Sequence, residues 1–207
     1  MKKIYFSHYV DEKNIHMNPE VFEERDEQGF LHRFSLTIPF HHKNNDRQAV
    51  VIMKNPSNAG ILDDEGFKTS DDTLYRILDY LYKQPDCDIG KVTIVNLYTM
   101  VNGTASYLKE YIGTPEELEY RKQNDEVISQ ILADCDSSRD LLLAGWGNYQ
   151  PLLESAYKRR IRDVLHLIGD KPLYRVGPMV NNQKYPGHGK YWYDYEPLLP
   201  YPSTGVR

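Results

Sequence analysis

Ala49-Val50-Val51-Ile52-Met53 runs straight into Lys54-Asn55-Pro56-Ser57-Asn58-Ala59-Gly60. Five apolar residues without a break, followed by a loop rich in Asn, Pro, Ser and Gly, predict a short strand covered on both faces. Such strands belong to parallel sheets. Working downstream, Ser70 or Asp71 caps a helix whose Leu74, Ile77, Leu78 and Leu81 share one face. Val92-Thr93-Ile94-Val95 repeats the buried-strand pattern and ends in Asn96-Leu97-Tyr98. Thr114 and Pro115 open a second helix, with Val127, Ile128, Ile131 and Leu132 on its apolar side. Leu141-Leu142-Leu143-Ala144 is a third strand, ending in Gly145-Trp146-Gly147-Asn148. A helix with Leu153, Tyr157, Ile161, Val164, Leu165 and Ile168 inward leads to a fourth strand, Leu173-Tyr174-Arg175-Val176.

Strand and helix alternate from residue 49 onward, which predicts an α/β fold. The expected architecture is three layers, α/β/α, around a central, mainly parallel sheet. Upstream, Phe30 to Phe40 alternates like a strand closed by Pro39, and His41 to Arg47 reads as a polar turn. Residues 1–30 read as an N-terminal arm packed on the domain, and residues 31–207 as a single α/β domain.

The bulk numbers narrow the function. A chain of 207 residues buries a full core without disulfides or metals. Cys87 and Cys135 stand far apart, outside any CxxC or Cys/His cluster, and read as reduced thiols. The start, Met-Lys-Lys-Ile-Tyr-Phe-Ser-His, lacks the apolar stretch of a signal peptide, and no apolar run approaches membrane-spanning length. A cytoplasmic location and no membrane partner are therefore expected. The net charge of −5 argues against bulk electrostatic binding of nucleic acid. The basic run Lys158-Arg159-Arg160 with Arg162 reads as a solvated helix face, and the 17 tyrosines as amphipathic surface packing. Seven histidines lie without carboxylates or cysteines at ligand spacing, so neither a metal nor a cofactor is expected. GxGxxG, Walker A and GxSxG motifs are all missing from the sequence. Oligomeric state is not legible.

Parallel strands place their carboxyl-terminal loops on one sheet edge, where ligands of such folds bind. Asn55-Pro56-Ser57, Asn96-Leu97-Tyr98 and Gly145-Trp146-Gly147-Asn148 then converge. An asparagine amide offers two donors and one acceptor, enough to read a nucleobase edge or orient a water. Pro56 restricts Asn55 and so positions its amide. Asp72 begins the first helix, and Arg76 can pair with it or reach an anionic ligand. Asn124 and Asp125 sit near the apolar stripe of their helix, where they can point into the site or brace its loops. His188, in Pro186-Gly187-His188-Gly189, can act as an acid or donate to a developing oxyanion.

The series Asn55-Pro56-Ser57, Asp72-Thr73 with Arg76, Asn96-Leu97, Asn124-Asp125, Trp146-Gly147 and a late His188 resembles the bacterial and phage domain-of-unknown-function family 1643, from about residue 30 to residue 195. The commoner form of that family has proline after the late histidine, and Gly189 stands there in this chain. A more distant resemblance is to the uracil-DNA glycosylase superfamily. It implies that Asn55 orients an attacking water, that Asn96 reads the base, and that His188 stabilises the departing base. It also implies a uracil-DNA-glycosylase-like fold. The expected substrate-binding set is then Pro56, Ser57, Asp72, Arg76, Asn96, Asn124, Asp125, Trp146 and Gly147, with Asn55 and His188 catalytic. The expected function is recognition of a nucleobase or nucleotide, with hydrolysis of an N-glycosidic bond as its enzymatic form. The alternative is a non-catalytic nucleotide-binding module or an interaction protein using the tyrosine-rich tail from Tyr191 to Tyr201.

Overall fold

The computed structural model describes residues 3–20, 25–41, 47–84, 88–102 and 107–202. Cys87, His42 and part of the predicted turn at 41–47 lie outside these residues, as do Met1 and Lys2. Nine strands are named in chain order. They are β1 (Ile4–Tyr5), β2 (His16–Asn18), β3 (Ser35–Pro39), β4 (Gln48–Met53), β5 (Thr69–Ser70), β6 (Lys91–Asn96), β7 (Leu141–Ala144), β8 (Tyr174–Val176) and β9 (Leu198–Pro200). The helices are α1 (Asp72–Lys83), α2 (Leu108–Tyr111), α3 (Pro115–Ala133) and α4 (Glu154–Ile168).

The fold is α/β, built on a seven-stranded mixed sheet of order β2-β3-β6-β4-β7-β8-β9. The stretch Gln48–Met53 is buried at all six positions and occupies the middle of the sheet. It pairs in parallel with β6 on one side and β7 on the other, and β7 pairs in parallel with β8. The expectation of a mainly parallel sheet needs correcting at the margins. β2, β3 and β9 are antiparallel to their neighbours, so half of the pairings are antiparallel. Strand patterning reports burial, not direction. The alternating burial of β3, with Leu36 and Ile38 inward, is what an antiparallel flank requires.

Two apolar clusters lie on the two faces of the sheet. Ala49, Val51 and Met53 of β4 pack with Ile94 of β6 and with Leu74, Ile77, Leu78 and Leu81 of α1. The alternate residues Val50 and Ile52 pack with Val95 and with Ile128 and Leu132 of α3 and Tyr157, Ile161, Val164 and Ile168 of α4. The two-residue period of a strand therefore divides β4 between two sets of helices.

The caps fall where sequence signals place them. Asp71, not Ser70, caps α1 by accepting from the Leu74 N–H at 2.7 Å. Thr114 caps α3 by accepting from the Glu117 N–H at 3.2 Å. The start of α4 differs from expectation. Leu153 lies just before its first turn and is 68% exposed rather than inward.

Residues of the 1–30 segment take part in the sheet and the core. β2 forms its edge, and Phe6, Tyr9, Val10 and Ile15 join the cluster beneath α1. Tyr80, Tyr157 and Tyr185 are almost fully buried, against the reading of the tyrosines as surface packing. Arg160 departs from the solvated-face reading too. It is 1% exposed, and its Nε donates to the Leu97 carbonyl at 2.6 Å. Among the described residues no helix is long and apolar enough to cross a membrane.

Truncating Ile52, which has no exposed surface and packs between β6, β7 and two helices, should destabilise the fold by about 2–5 kcal/mol. Leu153→Ala should change stability by no more than about 0.5 kcal/mol. Urea unfolding of the two variants beside the wild type measures both.

Candidate functional site

The parallel register of β4 on β6 sets Met53 opposite Asn96. Both strands end at that level, and their loops leave side by side. Three backbone bonds fasten the loops together: Leu97 N–H to Met53 O at 2.8 Å, Tyr98 N–H to Lys54 O at 3.0 Å, and Asn102 N–H to Pro56 O at 2.9 Å. The Asn55 amide adds a fourth link, donating to the Asn102 carbonyl at 2.8 Å.

Above this seam opens a cleft of roughly 750 Å³. Its floor is apolar: Met53, Ile94, Leu36 and, from α1, Leu74 and Ile77. Its polar lining includes Asn55, Ser57, Asn96, His188, Asp71 and Asp72. Asn96 lies two residues beyond Ile94 and so faces the same side of the sheet, toward α1.

Asn96 is 1% exposed, and neither its Nδ2 nor its Oδ1 has a hydrogen-bond partner among the described residues. A buried primary amide left unpaired on both atoms costs free energy that folding alone does not recover. Its main chain is firmly held. The Asn96 carbonyl accepts from Asn124 Nδ2 at 2.9 Å, and the next carbonyl takes the bond from Arg160. Arg160 is in turn paired with Asp125 at 2.6 Å.

His188 enters from a different loop. The Lys190 N–H donates to its Nδ1 at 3.2 Å, so the neutral ring carries its proton on Nε2. Burial, helped by the charge of Lys54, pulls its pKa from 6.5 down to about 4. The imidazole is therefore uncharged at neutral pH. Lys54 itself is buried, donates to the Gln150 carbonyl at 3.0 Å and lies over the Tyr157 ring. Burial lowers its pKa to about 8.

The His188 loop is pressed against two neighbours. Trp146 and His188 form an antiparallel bridge, and the Gly189 N–H donates to the Gly145 carbonyl at 3.2 Å. A Cβ at Gly189 would stand 2.6 Å from Ile77 Cδ1, inside α1. Proline here would lose the donor and collide with the helix, which accounts for glycine at this position.

The candidate residues thus divide. Asn55, Pro56, Ser57, Asp72, Asn96 and His188 line the one cleft. Arg76, Asn124, Asp125, Trp146 and Gly147 are placed elsewhere. The Arg76 guanidinium lies over the Tyr193 ring at 5.2 Å, neither paired with Asp72 nor turned into the cleft. Asn124 occupies the buried stripe of α3 and braces Asn96 from behind. Asp125 lines a second, more open hollow of about 540 Å³ along α3. Trp146 is fully buried in the core, and Gly147, at φ +68°, leaves room for His188, whose Cβ would be 3.0 Å from a side chain there.

The sequence reading missed Arg33, Asp71 as a lining residue, Asn102 and Lys190. Arg33 was hidden in an apparent strand alternation, and Asp71 in its capping role. Among the described residues no group of three or more His, Cys, Asp or Glu is placed to hold a metal ion.

An α/β protein with a polar cleft at the carboxyl ends of its two central parallel strands is the class that these features define. The family described as "Protein of unknown function (DUF1643)" matches residues 33–188, well over half of the chain, and the chain belongs to it. No curated protein and no solved structure matches it.

Because the folded pKa of His188 lies below its unfolded value, the unfolded chain takes up a proton first as pH falls. Stability from this residue is complete above about pH 6.5 and is lost down to about pH 4. Urea unfolding across that window should show a steeper decline for the wild type than for His188→Gln.

Proposed function

We propose that the cleft binds a nucleobase, with the Asn96 amide reading its hydrogen-bonding edge. The observation that carries this reading is the doubly unpaired, buried amide of Asn96 at the cleft wall. An amide presents a donor and an acceptor side by side, the same pair found on the Watson–Crick edge of uracil, cytosine or guanine. The apolar floor of Met53, Ile94 and Leu36 suits the faces of a flat heterocycle.

In its enzymatic form the site hydrolyses an N-glycosidic bond. The Asn55 NH₂ is committed to the Asn102 and Pro56 carbonyls, which leaves its Oδ1 to hold a water. The water oxygen bonds to the sugar carbon as the carbon–nitrogen bond breaks, and the bonding pair leaves with the base. Neutral His188 donates its Nε2 proton as a hydrogen bond to the departing base, and the buried charge of Lys54 favours that anion. The water's proton passes to solvent and the base is protonated on release. This reading extends the resemblance to uracil-DNA glycosylases. With helices packed on both faces of the sheet, it takes the fold as a three-layer α/β/α arrangement of that kind acting in the cytoplasm. A second reading keeps the same pocket without turnover, because Asp71, a carboxylate of the lining, is already engaged as a helix cap.

The test is thermal stabilisation by free bases and nucleosides, followed by chromatography for released base. Binding should raise the melting temperature of the wild type and not of Asn96→Ala. Asn55→Ala and His188→Ala should each slow release by roughly 100-fold or more. Binding without release selects the non-catalytic reading, and no binding to folded protein removes both.

A further inference from the structure

Arg33 is a buried cation that no carboxylate among the described residues hydrogen-bonds. It is 2% exposed and lines the cleft. Its Nη1 donates to the Ala59 carbonyl, while its Nε has no partner among the described residues. The carboxylate it feels is that of Asp71, which offsets part of the charge while its Oδ1 accepts from the Leu74 N–H. Burial lowers its pKa from 12.5 to about 10, so it stays charged at neutral pH. A buried guanidinium without a bidentate partner is strongly unfavourable unless an anion completes it.

The neighbouring groups point to the kind of anion. Ala59 receives Arg33 at its carbonyl and donates its N–H to Ser57 Oγ at 3.3 Å. The guanidinium and the serine oxygen are therefore held on the two sides of one residue. In this bond Ser57 is the acceptor, so its hydroxyl proton can still be donated. A planar fork and a hydroxyl, both lining the cleft and both bonded to Ala59, match a tetrahedral oxyanion.

We propose that Arg33 and Ser57 form a phosphate subsite, so that the ligand of the cleft is a nucleoside monophosphate. The proposal rests on the reading of Asn96 as the base-recognising group. A free nucleotide is favoured over a nucleic-acid strand for two reasons. A cleft of roughly 750 Å³ is of small-molecule size, and Arg33 is sunk beneath the surface of a protein carrying net charge −5.

The experiment is calorimetric titration of the full chain with nucleosides, their 5′-monophosphates, inorganic phosphate and a single-stranded oligonucleotide. The monophosphate should bind at least about tenfold more tightly than its nucleoside. That preference should shrink several-fold in Ser57→Ala and vanish in Arg33→Gln. Circular dichroism verifies the fold of both variants, and Ser57→Ala tests the subsite without disturbing a buried charge. Equal affinity for nucleoside and monophosphate would overturn the subsite and leave the base reading standing. Inorganic phosphate binding that depends on Arg33, with no response to any nucleoside or nucleotide, would support the subsite and remove the base reading. Tighter binding of the oligonucleotide than of any monophosphate would overturn the assignment to a free nucleotide.

Discussion

Everything in the cleft hangs from the parallel pairing of β4 with β6, which sets Met53 against Asn96. Asn55 and Asn96 stand where these two buried strands stop. Because both strands stop at the same level, their loops satisfy each other's backbone instead of turning to water. The bonds from Leu97, Tyr98 and Asn102 to Met53, Lys54 and Pro56 close that seam. Shifting the register by one residue would turn Ile94 and Asn96 to the α3–α4 face and take the Asn96 amide out of the cleft. Sheet register and site geometry are thus a single constraint.

The bracing behind Asn96 shows how much of the molecule serves this point. Asn124 gives up an apolar slot in α3 to hold the Asn96 carbonyl, and buried Arg160 holds the next one. Arg33, Lys54 and Arg160 are all nearly inaccessible to solvent, which is costly in a protein interior. Among the described residues only Arg160 of these three is closely ion-paired, with Asp125. Arg33 lines the cleft, and the charge of Lys54 is felt by His188 at its wall.

The core strands, the apolar faces of α1 and the site loops after β4 and β6 were all legible in the sequence. Each depends on local rules: unbroken apolar runs, helical spacing and loop composition. Strand direction was not legible, because β2, β3 and β9 carry no mark of polarity in their side chains. The grouping of Asn55 and Asn96 follows from the rule that parallel strands share an edge, and His188 joins them through the family resemblance. Arg33 escaped because the chain leaves the strand conformation before residue 35, so that His32 and Arg33 are both buried where alternation would expose one. Arg160 escaped because it stands in a basic run, and composition gives no sign of which member turns inward. Trp146 and Gly147 were matched by motif, yet they shape the site through His188 rather than by facing it.

The cleft draws on Lys3 and Ile4 near one end of the chain and on His188 and Lys190 near the other. Its walls are therefore brought together only when nearly the whole polypeptide is in place. During synthesis Asn96 is made long before Lys190 leaves the ribosome, and the half-built pocket has neither its histidine nor the glycine that seats it on α1. The cleft belongs to the finished molecule, and a chain stopped before residue 188 carries most of the core with one wall of the cleft unbuilt.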